Sequence, residues 1–186
     1  MQKKDREKLN RIVVIGNAAG GKTLLSRKLA TLHHLPLTHI DSIQFLSGMM
    51  IRPYLETEKI LAEIIQQDRW LLDGFGPLDS LEKRFQLADR IVFIDMPLWL
   101  HYWWFLKRQI KNIWSRRLEL PENCNELSLS HTVKVIKTIW KVHTQMRPEL
   151  IRILKRQELK DKVLIVKNLK EWKSLFKNGI LSFNKK

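Results

Sequence analysis

Cysteine is almost missing from this chain of 186 residues, which has only Cys124. A single thiol excludes an intramolecular disulfide and argues against a cysteine-based zinc site. Such sparing use of cysteine fits a reducing cytoplasm. A long hydrophobic run is also lacking. The most apolar stretch, Ile91 to Leu106, contains Asp95, Pro97 and His101 and is shorter than the roughly 20 residues of a membrane span. The charged start, Met1-Gln2-Lys3-Lys4-Asp5-Arg6, does not read as a secretory leader. Internal repeats and low-complexity segments are absent, and the histidines show no metal-ligand spacing. Together these absences predict a soluble, cytoplasmic protein without a transmembrane segment.

Acidic residues are scarce in one half only. Lys+Arg number 34 against 19 Asp+Glu, for a formal net charge of +15. Met1 to Pro97 has 14 basic and 12 acidic residues, whereas Leu98 to Lys186 has 20 basic and 7 acidic. A basic half prompts the expectation of a nucleic-acid or membrane partner. No DNA-reading motif accompanies it. Hydrophobic residues at 44% suit a globular core and exclude a disordered chain. The length predicts one domain over 1–186.

What is present is an alternation of strand-like and helical segments. Arg11–Gly16, Leu37–Ile40, Trp70–Asp73, Arg90–Asp95 and Lys162–Val166 read as short strands. Helical patterns lie between them at about 22–32, 56–67, 98–117, 130–157 and 171–176. This alternation predicts an α/β fold whose parallel sheet is covered on both faces, a three-layer sandwich. Ligands of such sheets bind at the carboxyl ends of the strands. Here those ends carry Gly16, Asp41, Asp73 and Asp95.

The strongest local signal is Gly16-Asn17-Ala18-Ala19-Gly20-Gly21-Lys22-Thr23, a full match to G-x-x-x-x-G-K-[ST]. It follows a β-branched strand and opens an amphipathic helix, the context that such a phosphate-binding loop requires. Its backbone N–H groups would converge on phosphate oxygens, helped by the helix N-terminus. Lys22 would reach the β- and γ-phosphates of ATP, and Thr23 would ligate Mg²⁺. Asp73 is expected to hold the metal or its water shell, with a turn cap as the alternative. Asp95 could serve the metal shell or cap the following helix, with equal weight. Asp41 is expected to orient or deprotonate an acceptor hydroxyl, against a plain turn-capping role.

Arg108, Arg116 and Arg117 precede the irregular stretch 118–129, and Arg147, Arg152 and Arg156 follow it. Arginines on both sides of such a loop suit a helical lid closing over a nucleotide. Arg152, Arg156 and the series Lys134, Lys137, Lys141 read as solvated faces. Trp99, Trp103, Leu106, Ile110, Ile113 and Trp114 share one helical stripe and are expected to pack in the core. An interfacial contact is the alternative reading of this aromatic run.

These residues resemble a known group. The phosphate loop, Leu71-Leu72-Asp73-Gly74-Phe75, Ala88-Asp89-Arg90 and Phe93-Ile94-Asp95-Met96-Pro97 look like the nucleoside-monophosphate-kinase-like P-loop family. The likeness is greatest to its adenylate-kinase-related branch, the DNA topology modulation proteins, through His39-Ile40-Asp41, Trp70 to Gly74, and Cys124-Asn125-Glu126. The resemblance implies strand order 2-3-1-4-5, ATP on the loop, Mg²⁺ at Thr23 and Asp73, and a lid bearing Arg108 and Arg116. Asp73-Gly74-Phe75-Gly76-Pro77 lacks the arginine that grips an acceptor phosphate in adenylate kinases, so Arg84 is the next candidate. Asp41, Arg52 and Arg84 would then form the acceptor side. The expectation is a Mg-ATP-dependent small-molecule kinase for a nucleotide or nucleoside-like acceptor. The alternatives are a nucleic-acid-associated ATP-binding regulator and a nucleotide-sensing module with little turnover.

Overall fold

The computed structural model describes residues 9–112 and 129–180. Five strands, β1 (Arg11–Gly16), β2 (Leu37–His39), β3 (Trp70–Asp73), β4 (Arg90–Ile94) and β5 (Val163–Val166), form one sheet. Its order is β2-β3-β1-β4-β5, and every pairing is parallel. The helices are α1 (Lys22–His33), α2 (Ile40–Gln44), α3 (Tyr54–Gln66), α4 (Asp79–Leu87), α5 (Leu98–Asn112), α6 (Leu129–Lys141), α7 (Arg147–Leu154) and α8 (Leu169–Asn178). The expected architecture and strand order are both present.

Strand β1 is central, and its interior residues Ile12, Val13, Val14 and Ile15 are wholly buried. Side chains alternate across a strand. Ile12 and Val14 therefore enter one core with Leu25 and Leu29 of α1 and Leu175 of α8. Val13 and Ile15 enter the other, with Leu61 of α3, Phe85 of α4 and Leu150 of α7. Burying each such aliphatic side chain contributes roughly 1.5–3 kcal/mol. The end of the sheet at which β1 and β4 begin is pinned by Asp89, whose carboxylate accepts the N–H groups of Asn10 (2.7 Å) and Arg11 (2.9 Å). Through that contact the Ala88-Asp89-Arg90 segment holds the entry of β1 beside that of β4.

The helical pattern over 130–157 is divided. Between α6 and α7 the chain makes one wider turn, Val142–Met146, in which the Arg147 N–H reaches back five residues to the Val142 carbonyl. Pro148 has no N–H, so the Thr144 carbonyl loses its usual donor and the turn widens. Helix α7 then stops at Leu154 rather than near Gln157. Helix α8 starts two residues before the expected span because Asn168 caps it, accepting the Glu171 N–H at 2.9 Å.

The core assignment of the α5 stripe is overturned. Helix α5 buries Leu100, His101 and Phe105, with Trp104 packed beside them. Trp99, Trp103, Leu106 and Ile110 face outward and are exposed. Periodicity identifies an apolar stripe, but this helix has one on each side, and spacing alone does not say which meets the sheet. Ile113 and Trp114 lie outside the described residues.

Candidate active site

Strand β1 ends at Gly16, whose φ of 151° lies in the region that only glycine occupies easily. A Cβ there would stand 2.5 Å from the Ile94 carbonyl oxygen of neighbouring β4. The chain then turns through Asn17, Ala18, Ala19, Gly20 and Gly21, with Ala19 and Gly21 left-handed (φ 52° and 76°). Alternating handedness of this kind points successive N–H groups to one side and makes an anion cradle. Helix α1 begins at Lys22 without a side-chain cap and without an acid in its first turn. Its leading N–H groups and positive dipole end are thus left for an anion. Thr23 is half-buried in that first turn.

Three contacts fix the loop. The Asn17 side chain is buried and donates through Nδ2 to the Ile139 carbonyl of α6 (2.8 Å). His101 Nδ1, from α5, lies 2.9 Å from the Ala18 carbonyl. A carbonyl only accepts, so Nδ1 carries the proton. Burial, opposed in part by that hydrogen bond and reinforced by nearby Lys22, pushes the His101 imidazole down to about 4. Lys22 Nζ donates to the Asn17 carbonyl (2.9 Å), so the ammonium is held over the loop itself.

Asp73 ends β3 directly beside β1, paired in register with Val14. Its carboxylate is 5% exposed. One oxygen, Oδ2, lies 2.9 Å from His39 Nδ1, and the other, Oδ1, is buried without a hydrogen-bond partner. His39 and Asp73 are cross-strand neighbours in the β2–β3 register. An unsatisfied buried carboxylate oxygen is costly unless it meets a cation or donor. A hard cation or its water fits that oxygen chemically, and Thr23 supplies a second oxygen of the right kind. Among the described residues no cluster of three or more His, Cys, Asp or Glu forms a protein-only metal cage. One carboxylate, one hydroxyl and substrate phosphates are the donor set that Mg²⁺ prefers.

Asp95, at the end of β4, is engaged by an arginine that sequence spacing does not announce. Its carboxylate receives a two-pronged guanidinium contact from Arg147, with Nη2 to Oδ2 at 2.9 Å. That bond raises the Arg147 guanidinium further above its ordinary value. Arg147 stands where the widened turn meets α7, so the ion pair ties β4 to the end of the α6–α7 segment. Asp95, Met96, Leu98, His143, Arg147 and Lys167 contribute to an open cleft of about 470 Å³.

The acceptor-side candidates are placed less directly. Asp41 is exposed in the first turn of α2, just beyond the β2 edge. Arg52 is half-buried, donates Nε to the Ile43 carbonyl (2.8 Å) and approaches Glu56 at 3.5 Å. Arg84 is a correction. It is fully buried, and it donates to the carbonyls of Phe75, Pro77 (3.0 Å) and Ser80 (3.3 Å). Burial lowers its guanidinium to about 10. It braces the 75–80 turn from beneath and presents no surface to an acceptor. Arg108 lies over the Phe105 ring, 5.3 Å from its centroid. Arg116, Arg117, Cys124 and most of the 118–129 stretch lie outside the described residues. Sequence reasoning assigns no histidine a role. His39 and His101 meet their partners only through strand register and helix docking, and no local spacing announces them.

Comparison with known proteins bears on the fold. No family model matches the chain, and no curated protein does. Solved structures do. A shikimate kinase from Acinetobacter baumannii, in complex with shikimate, superposes with a TM-score of 0.57 at 16% identity, over 97% of each chain. A shikimate kinase from Aquifex aeolicus gives 0.46 at 18% identity, over 92% of this chain and 94% of its own. The likeness to the Acinetobacter structure is one of overall fold.

Proposed function

We propose that the protein is an ATP-dependent small-molecule kinase. One observation carries this reading. A complete phosphate loop opens an uncapped helix, and beside it a strand-end carboxylate keeps one buried oxygen unpartnered. In this reading the 16–23 loop holds the β- and γ-phosphates through backbone N–H groups. Lys22 leaves the Asn17 carbonyl and neutralises charge on the phosphoryl group in transfer. Thr23 and Asp73 would hold Mg²⁺, which would supply positive charge to offset that of the phosphates. His39 keeps Asp73 oriented. Asn17 and His101 hold the loop in shape, so little reorganisation accompanies binding. Arg108 and Arg116 are the cations proposed to come from the lid.

The acceptor enters on the β2 side. Asp41 accepts the proton of its hydroxyl as the new O–P bond forms and the bond to the β-phosphate oxygen breaks. Arg52 braces the 43–56 segment through the Ile43 carbonyl, and that segment carries the exposed residues Met50, Ile51, Tyr54 and Leu55. The acceptor class is a small hydroxyl-bearing molecule, a nucleotide or nucleoside among the candidates. The test is transfer of labelled γ-phosphate from ATP to a panel of nucleosides, nucleoside monophosphates, sugars, shikimate and polynucleotide ends. At least one class is expected to accept label, and Lys22→Ala should lower the rate about 100-fold or more. Transfer unchanged by Lys22→Ala in a pure preparation sinks the proposal. The alternative reading, a nucleic-acid-associated ATP-binding regulator of the topology-modulation kind, is supported by the sequence motifs and the exposed Lys134, Lys137 and Lys141. ATP binding without transfer to any acceptor, joined to salt-sensitive DNA binding, would select it.

A further inference from the structure

The outward face of the α5–α6 hairpin has no part in the site described above. The two helices run antiparallel. Gln109 Nε2 donates to Thr132 Oγ1 (2.9 Å) at one end of the pair. At the other, His101 and Ile139 both meet the phosphate loop. On α5, opposite the buried Leu100, His101 and Phe105, the residues Trp99, Trp103, Leu106 and Ile110 recur at spacings that place them on one line. Trp99 is 64% exposed and Ile110 57%. Helix α6 repeats the arrangement with Val133, Ile136 and Trp140, all exposed, beside the buried Ile139. Single exposed apolar residues are ordinary, but a continuous stripe rimmed by charge marks an interaction surface.

On the two helices the rim has one sign. Helix α5 carries Lys107 there, α6 carries Lys134, Lys137 and Lys141, and neither helix contains an Asp or Glu. Lys107 Nζ sits 5.0 Å from the Trp103 ring centroid. A lysine whose stem lies along an indole keeps its charge at the edge of the apolar stripe. We infer that this face docks on an anionic phospholipid surface, with the tryptophans and aliphatics in the headgroup layer and the lysines against lipid phosphates. Tryptophan with lysine at its flank suits that layer, which is apolar on one side and wet on the other. Among the described residues no helix is long and apolar enough to cross a membrane, so the contact lies along the surface.

Two other occupants fit less well. A second copy meeting this face symmetrically would set lysine against lysine across an apolar seam, with no acid on either helix to offset them. A nucleic acid would match the cations, but Leu106, Ile110, Val133 and Ile136 offer it neither a hydrogen bond nor a stacking face.

The test uses the full chain and vesicles of phosphatidylcholine alone or with phosphatidylserine. Co-sedimentation and a blue shift of tryptophan emission are expected with the anionic vesicles only, weakening as salt rises. Each basic residue at such a surface contributes about fivefold to partitioning. Lys134→Glu with Lys137→Glu should therefore weaken binding about 25-fold or more. Trp99→Ser with Trp103→Ser should weaken it about 10-fold or more at constant salt. Both pairs are exposed, and unchanged circular dichroism and ATP affinity check that they fold. Absence of binding to anionic vesicles overturns the inference. So does binding that ignores the tryptophan substitutions and is displaced by DNA, which would assign the face to nucleic acid. A dimer that the tryptophan pair dissociates would assign it to self-association and overturn the inference equally.

Discussion

The Asp95–Arg147 pair makes a prediction with a built-in asymmetry. The two side chains share a two-pronged contact, yet Asp95 is 6% exposed and Arg147 37%. Removing the carboxylate with Asp95→Ala leaves a guanidinium that water already reaches. Hydrogen bonds to charged groups contribute about 1.5–3 kcal/mol, and solvation of the freed cation recovers part of that, for a net loss of about 1–2 kcal/mol. Arg147→Ala instead strands a carboxylate in a nearly dry site, a change that costs about 3–5 kcal/mol. Urea denaturation at neutral pH should therefore rank the variants wild type, Asp95→Ala, Arg147→Ala, with about 2 kcal/mol between the last two. Equal destabilisation, or the reverse order, would refute the burial argument.

Three further outcomes follow from single residues. His101 titrates near 4 in the folded chain against 6.5 ordinarily, so its contribution to stability is complete above pH 6.5 and is lost as pH falls through about 4. The loss reaches about 3 kcal/mol, and His101→Gln should flatten that slope in denaturation measured at both ends of the window. Arg84→Ala leaves three carbonyls and a cavity and should cost about 3–5 kcal/mol. That is a drop of roughly 6–20 °C in Tm for a chain of this size, and a wild-type melting curve with weakened acceptor binding would restore Arg84 to the acceptor site. Gly16→Ala forces a Cβ against the Ile94 carbonyl and should cost at least about 2 kcal/mol and abolish ATP binding, so wild-type calorimetry for that variant would contradict the loop geometry.

The sheet is legible in the sequence because interior parallel strands are buried on both faces and therefore read as continuous apolar runs, as Ile12 to Ile15 and Ile91 to Ile94 do. The phosphate loop is legible because its chemistry is local, from Gly16 to Thr23. Helix α4 is not, since Asp79–Leu87 is dominated by polar and charged residues and its burial rests on Leu81, Arg84 and Phe85. The widened turn at Val142–Met146 follows from Pro148, a single residue inside a strong helical pattern. The outward stripe of α5 escapes a reading by periodicity because both sides of that helix are apolar. His39, His101 and Arg147 acquire partners 34, 83 and 52 residues away, and contacts of that range leave no trace in spacing. Arg84 is hidden for a related reason: its carbonyl partners are backbone groups, which a sequence does not display.

Every role proposed for the site depends on Mg-ATP binding at the loop from Gly16 to Thr23. Calorimetric titration of ATP into the wild-type chain and into Lys22→Ala, each with and without Mg²⁺, tests that binding directly. Wild type is expected to bind ATP with Mg²⁺-dependent affinity, and Lys22→Ala to bind about 100-fold more weakly, because the ammonium held over the loop sits where the phosphates would lie. ATP affinity that is absent from wild type, or identical in Lys22→Ala, would contradict the kinase reading.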